Sequence, residues 1–97
     1  MTASLVTFLR ARLNEELEKA RLTGNLMVTQ SARLGVQPED AAKQARFSLA
    51  TAEARLALLE DTVVPYLGTA GPAGRNAEFQ LRLFAAPYVE HPDYPHD

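Results

Sequence analysis

The chain has 97 residues, of which 46% are hydrophobic and 23% charged, with a formal net charge of -2. That length fits one domain, that apolar share excludes wholesale disorder, and a slightly negative total gives no bulk attraction to phosphate backbones or anionic lipid. Cysteine is absent, so disulfides, thiolate nucleophiles and the usual structural zinc sites are excluded together, and stability has to come from packing.

In the opening segment, Arg10 and Arg12 follow apolar residues that form no uninterrupted core, so it does not read as a signal peptide. No run approaches the roughly 20 apolar residues that span a bilayer. A soluble, cytoplasmic protein without membrane contact is expected. The first predicted helix covers 4–34. Ser4 is its candidate N-cap, because a hydroxyl there can accept from a backbone N–H of the first turn. Val6, Leu9, Leu13, Leu17 and Ala20 share one face, widened by Leu5 and Phe8, with one extra step of four between Leu13 and Leu17 that interrupts a strict heptad. Arg12 with Glu16, and Glu15 with Lys19, sit one turn apart on a face read as solvated, each pair contributing roughly 0.2–0.5 kcal/mol.

Thr23-Gly24-Asn25 is ambiguous, since glycine inside a helix costs about 1 kcal/mol relative to alanine. The apolar rhythm nevertheless continues through Gly24, Met27, Ser31 and Leu34. A single helix with Gly24 as its kink point is favoured over a break that leaves residues 26–28 as a short extended piece. Gly35 suits the left-handed position after a helix, Val36 the apolar contact that accompanies it, and Pro38 the first turn of the next helix, with Glu39 and Asp40 near its positive end.

The second helix, 38–64, carries Ala42, Ala45, Leu49, Ala52, Leu56, Leu59 and Val63 in alternating steps of three and four. This is the rhythm of a coiled-coil seam, and the tight turn before it predicts a long antiparallel helical hairpin. Leu49 and Leu56 are the seam residues whose truncation is expected to cost most, about 2–5 kcal/mol each if fully buried. Pro65 stops or kinks the helix. The glycines of 68–75 read as a linker; no Gly-Lys-Ser/Thr follows, so they form no phosphate loop.

Residues 77–83 alternate as a half-buried strand would, but they also fit a helix at 76–86, with Asn76 as N-cap, Phe79, Leu83 and Ala86 on one face, and Pro87 as the stop. The helix is favoured because a strand lacks a partner. It is expected to pack across the open end of the hairpin. The fold class is therefore all-α, in a single domain: hairpin, linker, short third helix and an extended tail over 87–97.

The stretch Leu81-Arg82-Leu83-Phe84-Ala85-Ala86-Pro87-Tyr88-Val89-Glu90-His91-Pro92-Asp93-Tyr94 resembles the C-terminal signature of a small uncharacterised family of actinobacteria and their phages. Members end in a Leu-Arg-rich segment, then Ala-x-Pro-Tyr and His-Pro-x-Tyr. The run from Leu5 to Leu13 is similar to their first helix, and the helix around Glu53-Ala54 to their middle. The chain lacks the tryptophan-containing, often Cys/His-bearing insert that many relatives carry between the first two helices, so no metal role of that insert transfers. The resemblance implies no catalytic residues.

His91, Asp93, His96 and Asp97 are proper metal ligands by type. Pro92 and Pro95 favour an extended segment whose alternate residues point apart, so a docked or frayed tail is expected here rather than a metal site. Both histidines lie in this tail, and nothing brings them to a serine as a catalytic triad requires. No enzymatic activity, cofactor, metal or small-molecule substrate is expected. Tyr88, Val89 and Tyr94, spaced by prolines, read as anchors of a strap that docks either on its own hairpin or on a partner.

The function expected is protein–protein interaction or assembly, with a homo-oligomer favoured. Leu13, Leu17, Leu49, Leu56 and Leu59 are its helical seam, and the tail residues its anchors. The alternative is a nucleic-acid-binding or regulatory accessory protein using Arg10, Arg21, Arg33 and Arg46, although acids intervene and no helix-turn-helix is legible.

Overall fold

The computed structural model describes residues 2–96. Three helices make up most of the chain: α1 (Thr2–Thr29), α2 (Pro38–Leu58) and α3 (Pro72–Ala85), with no strand among the described residues. The two long helices pack together. No helix among the described residues is long and apolar enough to cross a membrane.

Helix α1 begins at Thr2, ahead of Ser4, and runs unbroken through Gly24. Gly24 is buried, and a Cβ built on it would lie 3.0 Å from the Cβ of Ala45 on α2. The glycine therefore serves a close helix–helix approach and not an exit from the helix, and the extended alternative for residues 26–28 is set aside. Beyond Thr29 the i to i-4 bonding persists, from Gln30 N–H to the Leu26 carbonyl and from Leu34 N–H to that of Gln30. The turn closes as predicted: Gly35 has φ of 72°, Val36 N–H donates to Ser31 O at 2.9 Å, and Gly35 N–H to Ala32 O at 3.3 Å. These two bonds are the Schellman pair that satisfies otherwise orphaned carbonyls.

The end of α2 widens before it stops. Residues Leu59–Val63 form a π-helical turn, with Val64 N–H bonded to Leu59 O, and Val64–Tyr66 form a 3-10 turn. Pro65 has no N–H to continue an α-helical ladder. The Thr62 hydroxyl meanwhile donates to the Leu58 carbonyl at 2.5 Å. With more residues per turn, Leu59 and Val63 both turn inward, at 0% and 1% exposure.

Helix α3 begins four residues earlier than expected, because Pro72 occupies its first turn. Asn76 is thus inside the helix and not its cap. Its buried face is Gly74, Ala77, Leu81 and Ala85, whereas Phe79 and Leu83 are 63% and 58% exposed. The predicted facing of α3 is corrected: small residues turned inward let its backbone come close to its neighbours, and the larger Phe79 and Leu83 stay outside.

The chain divides into two compact units, one comprising residues up to Arg12 with those from Leu56 onward, the other Leu13–Arg55. The first is cored by Val6, Phe8, Leu9, Leu59, Val63, Ala77, Leu81 and Ala85. The second is a two-helix layer in which Leu13, Ala41, Ala52, Gly24 and Ser31 are buried, while Leu17, Leu49, Met27 and Ala45 are only half-buried. In that unit Arg55 donates to Glu16 at 2.7 Å across the helix pair.

Candidate functional site

The most elaborate side-chain arrangement lies in the first unit, where the C-terminal segment closes over the start of α1. After α3 a 3-10 turn, Ala86–Tyr88, leads into two tight turns: His91 N–H donates to Tyr88 O at 2.9 Å and Tyr94 N–H to His91 O at 3.0 Å. Turns of this span bring every third residue to the same side. Tyr88, His91 and Tyr94 consequently all meet Phe8 edge-on, with ring centroids 6.3, 5.5 and 5.4 Å away. Edge-to-face pairs of this kind contribute about 0.5–1.5 kcal/mol each beyond their burial.

Arg12, one turn along α1 from Phe8, completes the clasp. Its guanidinium carbon is 5.2 Å from the Phe8 centroid, its Nη1 meets the ring nitrogens of His91, and the same nitrogen is 3.8 Å from Asp93 Oδ2. The Arg12 side chain is only 11% exposed, so it is not part of the solvated face read from its charge. Asp93 N–H donates to His91 Nδ1 at 3.0 Å. Beside the clasp runs an open groove of about 610 Å³ lined by Ser4, Thr7, Phe8, Ala11, Asp93 and Pro95 among others.

In the same unit Arg10 forms a two-pronged ion pair with Glu60, at 2.5 Å from Nε to Oε1 and 3.1 Å from Nη2 to Oε2. The hydrogen bond to Glu60 raises the Arg10 pKa above its ordinary value. Among the described residues no group of three His, Cys, Asp or Glu is placed to hold a metal ion; Asp97, one of the four tail ligands considered from sequence, lies outside the described residues.

The seam residues are distributed unevenly. Leu13 and Leu59 are buried, at 1% and 0%, whereas Leu17, Leu49 and Leu56 are half-buried. The expectation that Leu49 and Leu56 are the costliest truncations is therefore corrected: the largest fully buried side chains are Leu9, Leu13, Leu59, Leu81 and Val63. Of the tail anchors, Tyr88 and Tyr94 meet Phe8, while Val89 is exposed. Sequence reasoning missed His91 as the third contact of that ring and Phe8 as its receiver. The signal available was the three-residue spacing of 88, 91 and 94, which reads as a run of turns once the segment is not taken as extended.

Several large apolar side chains face outward: Leu22, Leu26, Val28, Leu34 and Phe47 in the second unit, and Leu58, Tyr66, Phe79, Leu83 and Val89 in the first. A helical hairpin, a third helix and a clasped tail define a small all-α module that carries apolar side chains on its surface. It belongs to a family of unknown function, DUF6221, whose family model matches residues 2–97. No curated protein and no solved structure matches the chain.

Proposed function

We propose that this chain is a non-enzymatic helical interaction module that assembles with itself. The observation that carries the reading is the outward placement of Phe47, Phe79, Leu22, Leu26 and Leu83, each more than half exposed. Such side chains lose unfavourable contact with water when a partner covers them, and large exposed apolar patches mark association surfaces. The second unit strengthens it, because two helices alone make one layer and bury few large side chains. An origin in actinobacteria or their phages, implied by the tail signature, belongs to this proposal, as does a cytoplasmic setting.

Nucleic-acid binding is the weaker reading. Of the four arginines considered for it, Arg10 is engaged by Glu60 and Arg21 by Glu18 at 2.9 Å, which lowers the field they offer to phosphate.

Light scattering coupled to size exclusion, over a concentration series, tests the proposal. A mass above one chain that rises with concentration supports it, and a single-chain mass throughout overturns it. The same measurement on a chain ending after Ala86 addresses the tail. Because Tyr88, His91 and Tyr94 close on Phe8 of their own chain, truncation is expected to lower stability while leaving assembly in place.

A further inference from the structure

We propose that the outward face of α2 between Lys43 and Ala54 docks against the same face of a second copy, with the two helices antiparallel. The proposal rests on the self-association reading above and names its surface. Phe47 is the most exposed large apolar side chain among the described residues, at 73%. On an α-helix, Lys43, Ala50, Thr51 and Ala54 fall within about one third of a turn of it. All are exposed. The face thus carries one aromatic ring, three small residues and one long flexible stem. Small residues let two helix axes approach to about 8 Å, and the lysine stem can lie along apolar surface with its ammonium in water.

The flanking charges select the partner. Arg46 and Glu53, both exposed, lie seven residues apart and so on the same flank of this face. A two-fold axis reverses chain direction and sets each flank against the same flank of the other copy. Centred between Ser48 and Leu49, it faces Phe47 with the partner's Ala50, and Ala54 with the partner's Lys43. Arg46 then lies two residues, about 3 Å along the axis, from the level of the partner's Glu53, within reach of both long side chains, and Glu53 lies likewise beside the partner's Arg46. A ring against a methyl-sized residue and two reciprocal ion pairs form a self-complementary surface.

The test is a charge swap read by solution mass at low salt. Arg46→Glu and Glu53→Arg each place like charges against one another at both of these pairings, and each is expected to abolish the dimer at concentrations where the unaltered chain is dimeric. Mixing the two single variants sets acid against base again at both pairings, and is expected to restore a dimer containing one chain of each. Phe47→Ala, which leaves the charges alone, is expected to abolish the dimer as well. A dimer that survives both single reversals, or a mixture that stays monomeric, overturns this surface and leaves self-association standing. A wild-type mass of one chain at every concentration overturns both.

Discussion

Glycine to alanine inside a helix ordinarily stabilises by about 1 kcal/mol, and the two helical glycines of this chain should depart from that rule to different degrees. At Gly74 in α3, an added Cβ would lie 1.9 Å from the Thr69 carbonyl oxygen and 2.9 Å from its carbonyl carbon. Those are backbone atoms of the turn that leads into the helix, and no rotamer change relieves them. Overpacking costs about 1–3 kcal/mol and occasionally more, and a contact this short belongs at the upper end. Subtracting the propensity gain leaves Gly74→Ala destabilised by about 2 kcal/mol or more, a fall of roughly 8–16 °C in Tm for a chain of this size. At Gly24 the same change meets the Cβ of Ala45 at 3.0 Å, a milder contact that nearly cancels the gain. Gly24→Ala is expected to stay within about 1 kcal/mol of the parent, and Ala45→Gly added to it should relieve the remaining contact. Thermal unfolding followed by circular dichroism reads all three variants. A Gly74→Ala protein more stable than the parent would refute the reasoning.

Other expectations follow from burial and backbone geometry. Leu59→Ala and Leu13→Ala should each cost about 2–5 kcal/mol in urea unfolding, and Leu49→Ala, from a half-buried site, clearly less; equal costs would contradict the burial assigned here. Gly35→Ala forces an L-residue to a φ of 72° and should cost roughly 1–2 kcal/mol in the same assay. Phe8→Ala removes the ring shared by Tyr88, His91 and Tyr94 and should cost about 3–5 kcal/mol. Its amides from 88 to 94 should then exchange with solvent much faster than in the parent, and unchanged protection there would count against the clasp.

The hairpin was legible because its cues are local. Gly35, Val36 and Pro38 specify the turn through backbone chemistry, and the steps of three and four between Ala42 and Val63 specify one face of a helix. What was not legible depends on distant partners. The inward face of α3 carries Gly74, Ala77 and Ala85, which on any hydrophobicity count look weaker than Phe79 and Leu83. Beside them Leu81 is also buried, and Gly74 faces inward because a residue without a Cβ clears the Thr69 carbonyl, a contact visible only once Thr69 is in place. The π-turn at Leu59–Val63 has no periodic signature, since it shifts a register by a single position. The clasp was half legible: Tyr88 and Tyr94 stand out in the sequence as anchors, but Phe8 is some eighty residues away, and nothing near it in sequence marks it as a receiver.

The unit closed by that clasp draws its residues from both extremes of the chain, whereas Leu13–Arg55 is one uninterrupted segment. Ordering in time follows from this arrangement. Contacts within a contiguous helical pair are close in sequence and form quickly, while joining Phe8 to Tyr94 has to close nearly the whole chain as a loop. During synthesis the middle segment can therefore fold before residues 88–94 emerge, and the Phe8 ring waits without its three aromatic partners until they do. A chain cut short before Tyr88 would keep its hairpin and present the Phe8 ring to the cell's quality control.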